Sequence, residues 1–82
     1  MKEVLSLALR IGRSRLPELL GSKGMTQAQL AQRLNLSDSF VSKVVHGERR
    51  LSLVKTREAA IILNCYMDDL YEWTDTQEDR RE

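Results

Sequence analysis

The residues best suited to contact another molecule are short polar side chains followed by two arginines. Positions 37–43 read SDSFVSK, and Glu48-Arg49-Arg50 follows a few residues later. Serine hydroxyls donate or accept hydrogen bonds at the edges of DNA bases, whereas Lys and Arg neutralise phosphates. This composition on the free side of one helix is typical of a helix that enters the major groove. The segment therefore indicates nucleic-acid binding, provided that the rest of the chain holds it as an exposed ridge.

The sequence gives little support to catalysis. It has one histidine, His46, and one cysteine, Cys65, and it has neither a glycine-rich phosphate loop nor a cluster of metal-ligand residues. The adjacent acids Asp68 and Asp69 fall in the first turn of a predicted helix, where the helix dipole accounts for them. We predict that the protein is not an enzyme and has no cofactor or metal. Because a single cysteine cannot form an internal disulfide, a reducing cytoplasm is expected.

Charge is distributed unevenly along the 82 residues. Residues 1–57 carry eleven Lys/Arg against four acids, whereas residues 58–82 carry two against eight. A basic front suits a protein that presents one face to a polyanion, although an unevenly charged solvated surface would look the same. No run approaches the ~20 apolar residues of a membrane helix, so no membrane contact is predicted.

Helical periodicity dominates, and no strand alternation stands out. Five helices are predicted, at 3–15, 26–34, 37–47, 52–63 and 68–73. Pro17 lies either in the first turn of a short additional helix at 17–22 or at a kink. The predicted fold class is all-α, a compact bundle of about five short helices around one core. Residues 1–74 form the single domain, and residues 75–82 form a charged, frayed tail.

Local signals mark where these helices begin and end. Thr26 and Gln29 make a capping box, Ser37 and Ser52 are N-caps, and Asn35 tolerates the left-handed conformation that ends helices. The fourth helix is expected to bury Leu53, Thr56, Ala60 and Leu63. Two helices joined by so short a turn form a helix-turn-helix, here at residues 26–46.

The residues of this motif resemble the Cro/CI-type helix-turn-helix repressors, the xenobiotic-response-element family. The similarity rests on Gly24-Met-Thr-Gln-Ala-Gln-Leu-Ala, on Leu34-Asn-Leu-Ser, on Val41-Ser-Lys-Val and on Gly47, and it extends over residues 12–73. Asn35 stands where the family usually has glycine, Pro17 interrupts a first helix that is usually continuous, and the segment before Ile11 is longer than the minimal domain. The resemblance implies a lambda-repressor-like fold that binds double-stranded DNA.

The resemblance also implies which residues touch DNA. The glutamine that opens the second helix contacts a phosphate, the first turns of the third helix face bases and backbone, and the following loop runs beside the other strand. The implied DNA-binding residues are Gln27, Ser37, Asp38, Ser39, Phe40, Ser42, Lys43, Arg49 and Arg50.

Three residues near this surface have more than one interpretation. Asp38 either accepts a hydrogen bond from a cytosine amino group or only stabilises the first helical turn. Phe40, expected to be exposed, either presses on a thymine methyl or packs on a partner. His46 is interpreted as a surface residue at the end of the third helix.

The predicted function is a sequence-specific DNA-binding transcription regulator, a repressor that acts as a homodimer on a two-fold operator. Such a protein would be cytoplasmic and nucleoid-associated. The candidate dimer surfaces are the fifth helix, with Leu70, Tyr71 and Trp73, and the apolar first helix. The phage-repressor and restriction–modification controller classes both remain open.

The alternative function is an antitoxin or a partner-sequestered regulator whose main role is protein binding. Val4, Leu7 and Ile11 motivate it, because they exceed what one small core needs to bury. The partner would be a regulatory protein or peptide, and DNA contact would be secondary.

Overall fold

The protein is described by a computed structural model, which defines residues 8–75. Four α-helices account for most of this part, and two short strands pair as an antiparallel sheet. In chain order the elements are β1 (Leu9–Ser14), α1 (Leu16–Lys23), α2 (Gln27–Leu34), α3 (Asp38–Val45), α4 (Leu53–Leu63), a 3-10 helix (Met67–Leu70) and β2 (Tyr71–Asp75). No helix within residues 8–75 is long and apolar enough to cross a membrane.

The helix ends follow the predicted local signals. The capping box of α2 is confirmed: the Thr26 hydroxyl accepts from the Gln29 backbone N–H at 3.0 Å, and Gln29 Oε1 accepts from the Thr26 N–H at 2.9 Å. The Ser52 hydroxyl accepts from the Lys55 N–H at 3.1 Å and caps α4. Pro17 lies in the first turn of α1, where its missing N–H costs nothing. The starts of these three helices are therefore set by their own sequence.

The predictions for both ends of the domain were wrong. Within the predicted first helix, residues 9–14 form β1, and residues 3–7 lie outside the described part of the chain. The predicted fifth helix is a 3-10 helix followed by β2, so the fold is not all-α. Of the predicted tail, Asp75 ends β2, and residues 76–82 are also outside the described part.

The two strands stabilise each other across most of the chain. Ile11 lies opposite Trp73, and Leu9 lies opposite Asp75 in the register. Tyr, Trp, Thr and Ile favour strands over helices, and Gly12 would cost a helix interior about 1 kcal/mol. A β-carbon added at Gly12 would lie only 3.3 Å from the Glu72 carbonyl oxygen, so the strands approach closely there. Helical periodicity in each segment is thus overridden by their pairing.

One core holds the helices and the sheet together. Its most deeply buried side chains come from α1, α2, α3, α4 and the 3-10 helix: Leu16, Leu30, Leu34, Val41, Val44, Leu63 and Leu70. The predicted buried face of α4 is partly wrong, because Leu53 is 76% exposed and Thr56 is half-buried. Ala59, Ala60 and Leu63 provide that face instead. Cys65 is partly buried at its edge, and this burial raises the pKa of its thiol.

Arg13 links the sheet to the first helix. Its guanidinium donates to the carboxylates of Glu18 in α1 and, at 2.9 Å, of Glu72 in β2. The hydrogen bond from Arg13 lowers the pKa of the Glu18 carboxyl. All three side chains are about half exposed, so the gain in stability is small and falls with added salt. The network thus connects both strands to α1 but adds little to the stability of the fold.

Replacing Ser37 with alanine is expected to destabilise the domain by about 1 kcal/mol, because the Ser37 hydroxyl accepts from the Phe40 N–H at 3.0 Å and caps α3. Urea unfolding followed by circular dichroism measures the change. Ser39→Ala is the matched control, since Ser39 is exposed two residues later in the same helix. A Ser37→Ala protein as stable as Ser39→Ala would contradict the capping role.

Candidate nucleic-acid interface

The turn between α2 and α3 sets the direction of α3. Asn35 takes the left-handed conformation at φ 60° and ψ 42°, as predicted. The backbone N–H of Leu36 then donates to the Ala31 carbonyl at 2.9 Å, and Ser37 restarts the chain as the cap of α3. Ala31 is fully buried, which lets the two helices cross closely. The turn is held by hydrogen bonds to the helices on either side of it, so α3 begins at a fixed angle to α2.

Burial of one side of α3 defines the side that faces outward. Val41 and Val44 are at most 1% exposed and point into the core. Since successive residues are about 100° apart around a helix, the opposite side carries Ser39, Ser42, Lys43 and His46. These residues are exposed or half-buried, and none is apolar. The outcome is a rigid polar ridge.

The predicted DNA-binding residues occupy three settings. Those exposed on or beside α3 and in its following loop are Ser37, Asp38, Ser39, Lys43, Arg49 and Arg50. Gln27 and Ser42 are half-buried. The expectation that Phe40 is exposed was wrong: it is partly buried against the core, about 70° from the centre of the buried side. Asp38 likewise lies at the flank of the ridge rather than on its crest.

His46 is exposed at the C-terminal end of α3, as predicted. It lies in the centre of the outward side, with its Nδ1 at 2.8 Å from the Ser42 carbonyl oxygen. A carbonyl only accepts, so Nδ1 donates in this contact, and the Nε2 of a neutral ring is then the acceptor nitrogen. A neutral Nε2 accepts a hydrogen bond, which suits the amino groups of adenine and cytosine in the major groove. In the sequence, the signal for this central position was the helical spacing of His46 from Ser39 and Ser42.

The loop after α3 folds back on the end of that helix. Gly47 has φ 83°, and the backbone N–H groups of Glu48 and Arg49 both donate to the Lys43 carbonyl, at 2.8 and 3.3 Å. This return holds the two arginines beside the last turn of α3. The Leu51 N–H also donates to the Tyr71 hydroxyl at 3.4 Å, which ties the end of the loop to β2. The arginines therefore lie on an anchored loop.

The cations of this surface differ from those that support the fold. Lys43, Arg49 and Arg50 form no ion pair with the described residues, whereas Arg13 and Lys55 do. Lys55 Nζ donates to the Leu34 carbonyl at 2.6 Å and to Glu58 Oε1 at 3.0 Å, and so holds the end of α2 against α4. Arg10, Arg15, Lys23, Arg33 and Arg57 also form no ion pair with the described residues, but they lie on or next to other elements, so the three cations on α3 and its loop are those beside the ridge. Residues 8–75 contain no group of three or more metal-ligand side chains.

Two helices joined by a short turn, the second with a polar outward side, define the helix-turn-helix class of DNA-binding proteins. The family comparison agrees and is more specific. The chain belongs to the family of Cro/C1-type helix-turn-helix DNA-binding domains, whose model matches residues 15–76. The matched region contains α1 to α4 and β2, and β1 precedes it.

Two solved structures resemble the chain, one in sequence and fold and the other in fold alone. The restriction–modification controller protein C.AhdI from Aeromonas hydrophila is 36% identical, with a TM-score of 0.61, and the alignment covers 67% of this chain and 83% of that one. The transcriptional regulator VanUg is 21% identical, with a TM-score of 0.64, and the alignment covers 92% of this chain and 99% of that one, which shows a shared fold. A search of curated proteins gave no match.

Replacing Lys55 with methionine is expected to destabilise the domain by about 1 kcal/mol, because the buried carbonyl of Leu34 loses a charged donor while the aliphatic packing remains. Thermal unfolding measures the effect. The matched control is Arg57→Met, a change at an exposed cation of the same helix. Equal melting temperatures for the two variants would show that Lys55 does not support the α2 end.

Proposed function

We propose that the protein is a sequence-specific transcription regulator, a repressor that binds a two-fold DNA operator as a homodimer with α3 in the major groove. The observation that carries the proposal is the polar ridge of α3, aimed outward by the buried valines and flanked by unpaired cations. Occupying a promoter is sufficient to repress it, so no further catalytic or sensor surface is needed. Such a protein would work in the cytoplasm, in contact with the nucleoid.

Two sets of residues divide the work of binding. Ser39, Ser42 and His46 present hydroxyl and imidazole groups from the crest of α3, so they are proposed to read base edges. Phosphate contacts position a protein without reading sequence, and this role falls to Lys43 and Arg49 on α3 and its loop. Further phosphate contacts are proposed for Gln27 at the start of α2, Ser37 at the cap of α3, and Arg50.

The two remaining residues have flanking roles. Asp38 is exposed at the side of the ridge, where its carboxylate would accept from a cytosine amino group if the groove reaches it. Only part of the Phe40 side chain is accessible to DNA, because Phe40 is partly buried against the core. An edge contact with a thymine methyl is therefore its proposed role, rather than insertion between bases.

The similarity to a restriction–modification controller favours control of such an operon among the regulator classes. A phage repressor is the alternative within the same mechanism. The antitoxin alternative retains one supporting observation, which is the exposure of Leu9, Leu53 and Trp73. Val4 and Leu7, which also motivated it, lie outside the described residues.

DNA selected in vitro from a random pool is expected to give a palindromic consensus with half-sites roughly one helical turn apart. Ser39→Ala and His46→Ala should relax base preference at defined positions, at a cost of about 1–3 kcal/mol for the preferred base. Arg49→Ala should weaken binding to all sequences alike and lower the salt slope by about one. Fluorescence anisotropy at several salt concentrations measures both effects.

Arg33→Ala is the charge-matched control, because Arg33 is exposed beside Ile61 of α4, away from the ridge. It should leave specific and non-specific affinity nearly unchanged. Equal losses of specific and non-specific binding in the Ser39, His46 and Arg49 variants would contradict the division into base-reading and phosphate-binding residues. Selection that returns no consensus would contradict sequence-specific binding itself.

A further inference from the structure

A shallow hollow opens between β1 and the loop after α3. It has a volume of about 470 Å³ and is lined by Leu9, Arg10 and Ile11 of β1, by Arg50 of the loop and by Trp73 of β2. Three of these side chains are apolar, two are guanidinium groups and none is acidic. We call this surface the arginine hollow. The family match begins at residue 15, after β1, so it does not account for Arg10.

The two guanidinium groups of the arginine hollow lack a carboxylate partner. Arg10 and Arg50 are exposed, and within residues 8–75 neither forms an ion pair. Arg13 of the same strand differs, because its guanidinium is held by Glu18 and Glu72. Two like charges that share a hollow repel each other, and an anion between them replaces that repulsion with two attractions. The arginine hollow is therefore suited to an anion.

The apolar walls of the hollow indicate which anion it suits. Leu9 and Trp73 are both about half exposed, and the Trp73 indole N–H donates to the Asp68 carbonyl at 2.9 Å, which holds the ring in place. An inorganic ion has no apolar surface to cover these side chains, whereas a DNA backbone joins each phosphate to the C–H groups of a deoxyribose. Arginine binds phosphate oxygens through two parallel N–H groups. The hollow thus fits one sugar-phosphate unit of a nucleic acid.

The position of the hollow places it beside the DNA that α3 is proposed to bind. Arg50 lies between Arg49 and Leu51 in the loop after α3, and the Leu51 N–H donates to the Tyr71 hydroxyl at 3.4 Å. Arg10 is held by the pairing of β1 with β2. A DNA strand that runs along the loop past Arg49 therefore comes next to the hollow.

One carboxylate near the hollow acts against phosphate binding. Asp68 does not line the arginine hollow, but it shares the neighbouring apolar pocket with Arg50 and a smaller one with Leu9 and Trp73. It is exposed and forms no ion pair with the described residues, so it leaves both arginines available. Its negative charge still weakens the attraction of the hollow for a phosphate. Removing that charge should strengthen the binding of DNA.

We propose that the arginine hollow binds one phosphate of the DNA backbone between Arg10 and Arg50, with the attached deoxyribose against Leu9 and Trp73. The inference rests on the proposed function for the position of the DNA, and it adds a contact from a strand that precedes the matched family domain. Phosphate contacts position a protein without reading sequence. Arg10 therefore strengthens binding to every sequence and reads no base.

Arg10→Met is expected to weaken binding to the selected operator and to unrelated DNA alike, by about tenfold at low salt, because a charged donor to a phosphate is lost while the aliphatic stem remains. The slope of log affinity against log salt should fall by about one for each bound copy. Fluorescence anisotropy at several salt concentrations measures both changes. Arg33→Met is the matched control, since Arg33 is exposed and unpaired but lies beside Ile61 of α4.

Sedimentation equilibrium without DNA checks that Arg10→Met acts on DNA binding. The variant should show the same association state as wild type. A loss of self-association that accounts for the whole loss of DNA affinity would overturn the contact between Arg10 and DNA.

Neutral methylphosphonates, introduced one at a time along the operator, locate the phosphate. At one position in each half-site the substitution should weaken wild-type binding several-fold more than it weakens binding by Arg10→Met, because the variant has already lost one of the two cations at that phosphate. Arg33→Met should respond there as wild type does. If no position shows this difference, the phosphate contact of Arg10 is refuted.

Asp68→Asn is expected to strengthen binding several-fold, because it removes the negative charge beside the hollow and keeps the backbone carbonyl that accepts from Trp73. The gain should disappear when the located phosphate is replaced by a methylphosphonate, which separates a local effect from a change in net charge. Anisotropy titrations with the two DNAs measure the gain. Binding by Asp68→Asn that is no tighter than wild type would contradict a phosphate in the hollow.

A free phosphate ion shares the chemistry of a backbone phosphate, so it needs its own test. Trp73 is the single tryptophan of the chain, and its fluorescence reports on the hollow. Operator DNA should change this emission in wild type and much less in Arg10→Met, whereas millimolar inorganic phosphate should leave it unchanged. A saturable response to inorganic phosphate that Arg10→Met abolishes, together with unchanged DNA affinity, would make the hollow a site for a free anion and overturn the proposal.

Failure of this proposal is distinguishable from failure of the proposed function. If Ser39→Ala and His46→Ala relax base preference while Arg10→Met binds like wild type, the reading surface stands and the hollow proposal falls. If Arg10→Met lowers affinity and salt slope for every DNA but selection returns no consensus, the hollow is a phosphate site and sequence-specific regulation falls.

Discussion

The burial of Val41 and Val44 against α2 is the constraint on which the rest of the structure depends. These side chains occupy one side of an eight-residue helix, and a helix this short has little stability of its own. Packing therefore holds α3 in place and, by the same contacts, decides which residues remain outside. Ala31 contributes by its small size, and Leu30 and Leu34 fill the space behind it. The side chains of α3 that the core does not bury form the polar ridge.

Much of this part of the fold could be predicted from the sequence, because its signals are local. The Thr26–Gln29 box, the Ser37 and Ser52 caps and the left-handed Asn35 each act within four residues. A pattern of that range can be recognised without knowing any distant contact. The outward side of α3 followed from the same reasoning, apart from the flanking position of Phe40 and the central one of His46. Both discrepancies arise from the helical angle, which residue type alone does not give.

The sheet could not be predicted in the same way, because its two strands are about sixty positions apart and neither is stable alone. Apolar residues near Leu9 and the Leu70–Trp73 segment fit a helical spacing when each is taken separately. What decides between helix and strand is the partner: Trp73 faces Ile11, and Arg13 bonds to Glu72 across the pair. The buried face of α4 was predicted in part, since Ala60 and Leu63 are buried, but Leu53 is exposed and Ala59 is buried in its stead.

The change from helix to strand at residues 71–75 also changes which side chains act together. In a strand, residues two apart point to the same face, so Tyr71 and Trp73 both line the apolar pocket between the sheet and the start of α4. In the predicted helix they would diverge by about 200° and could not share one surface. The strand also brings the Tyr71 hydroxyl to the Leu51 N–H, at the end of the loop that carries Arg49 and Arg50. The same five residues thus close the domain, help to line that pocket and anchor the loop that carries Arg49 and Arg50 after α3.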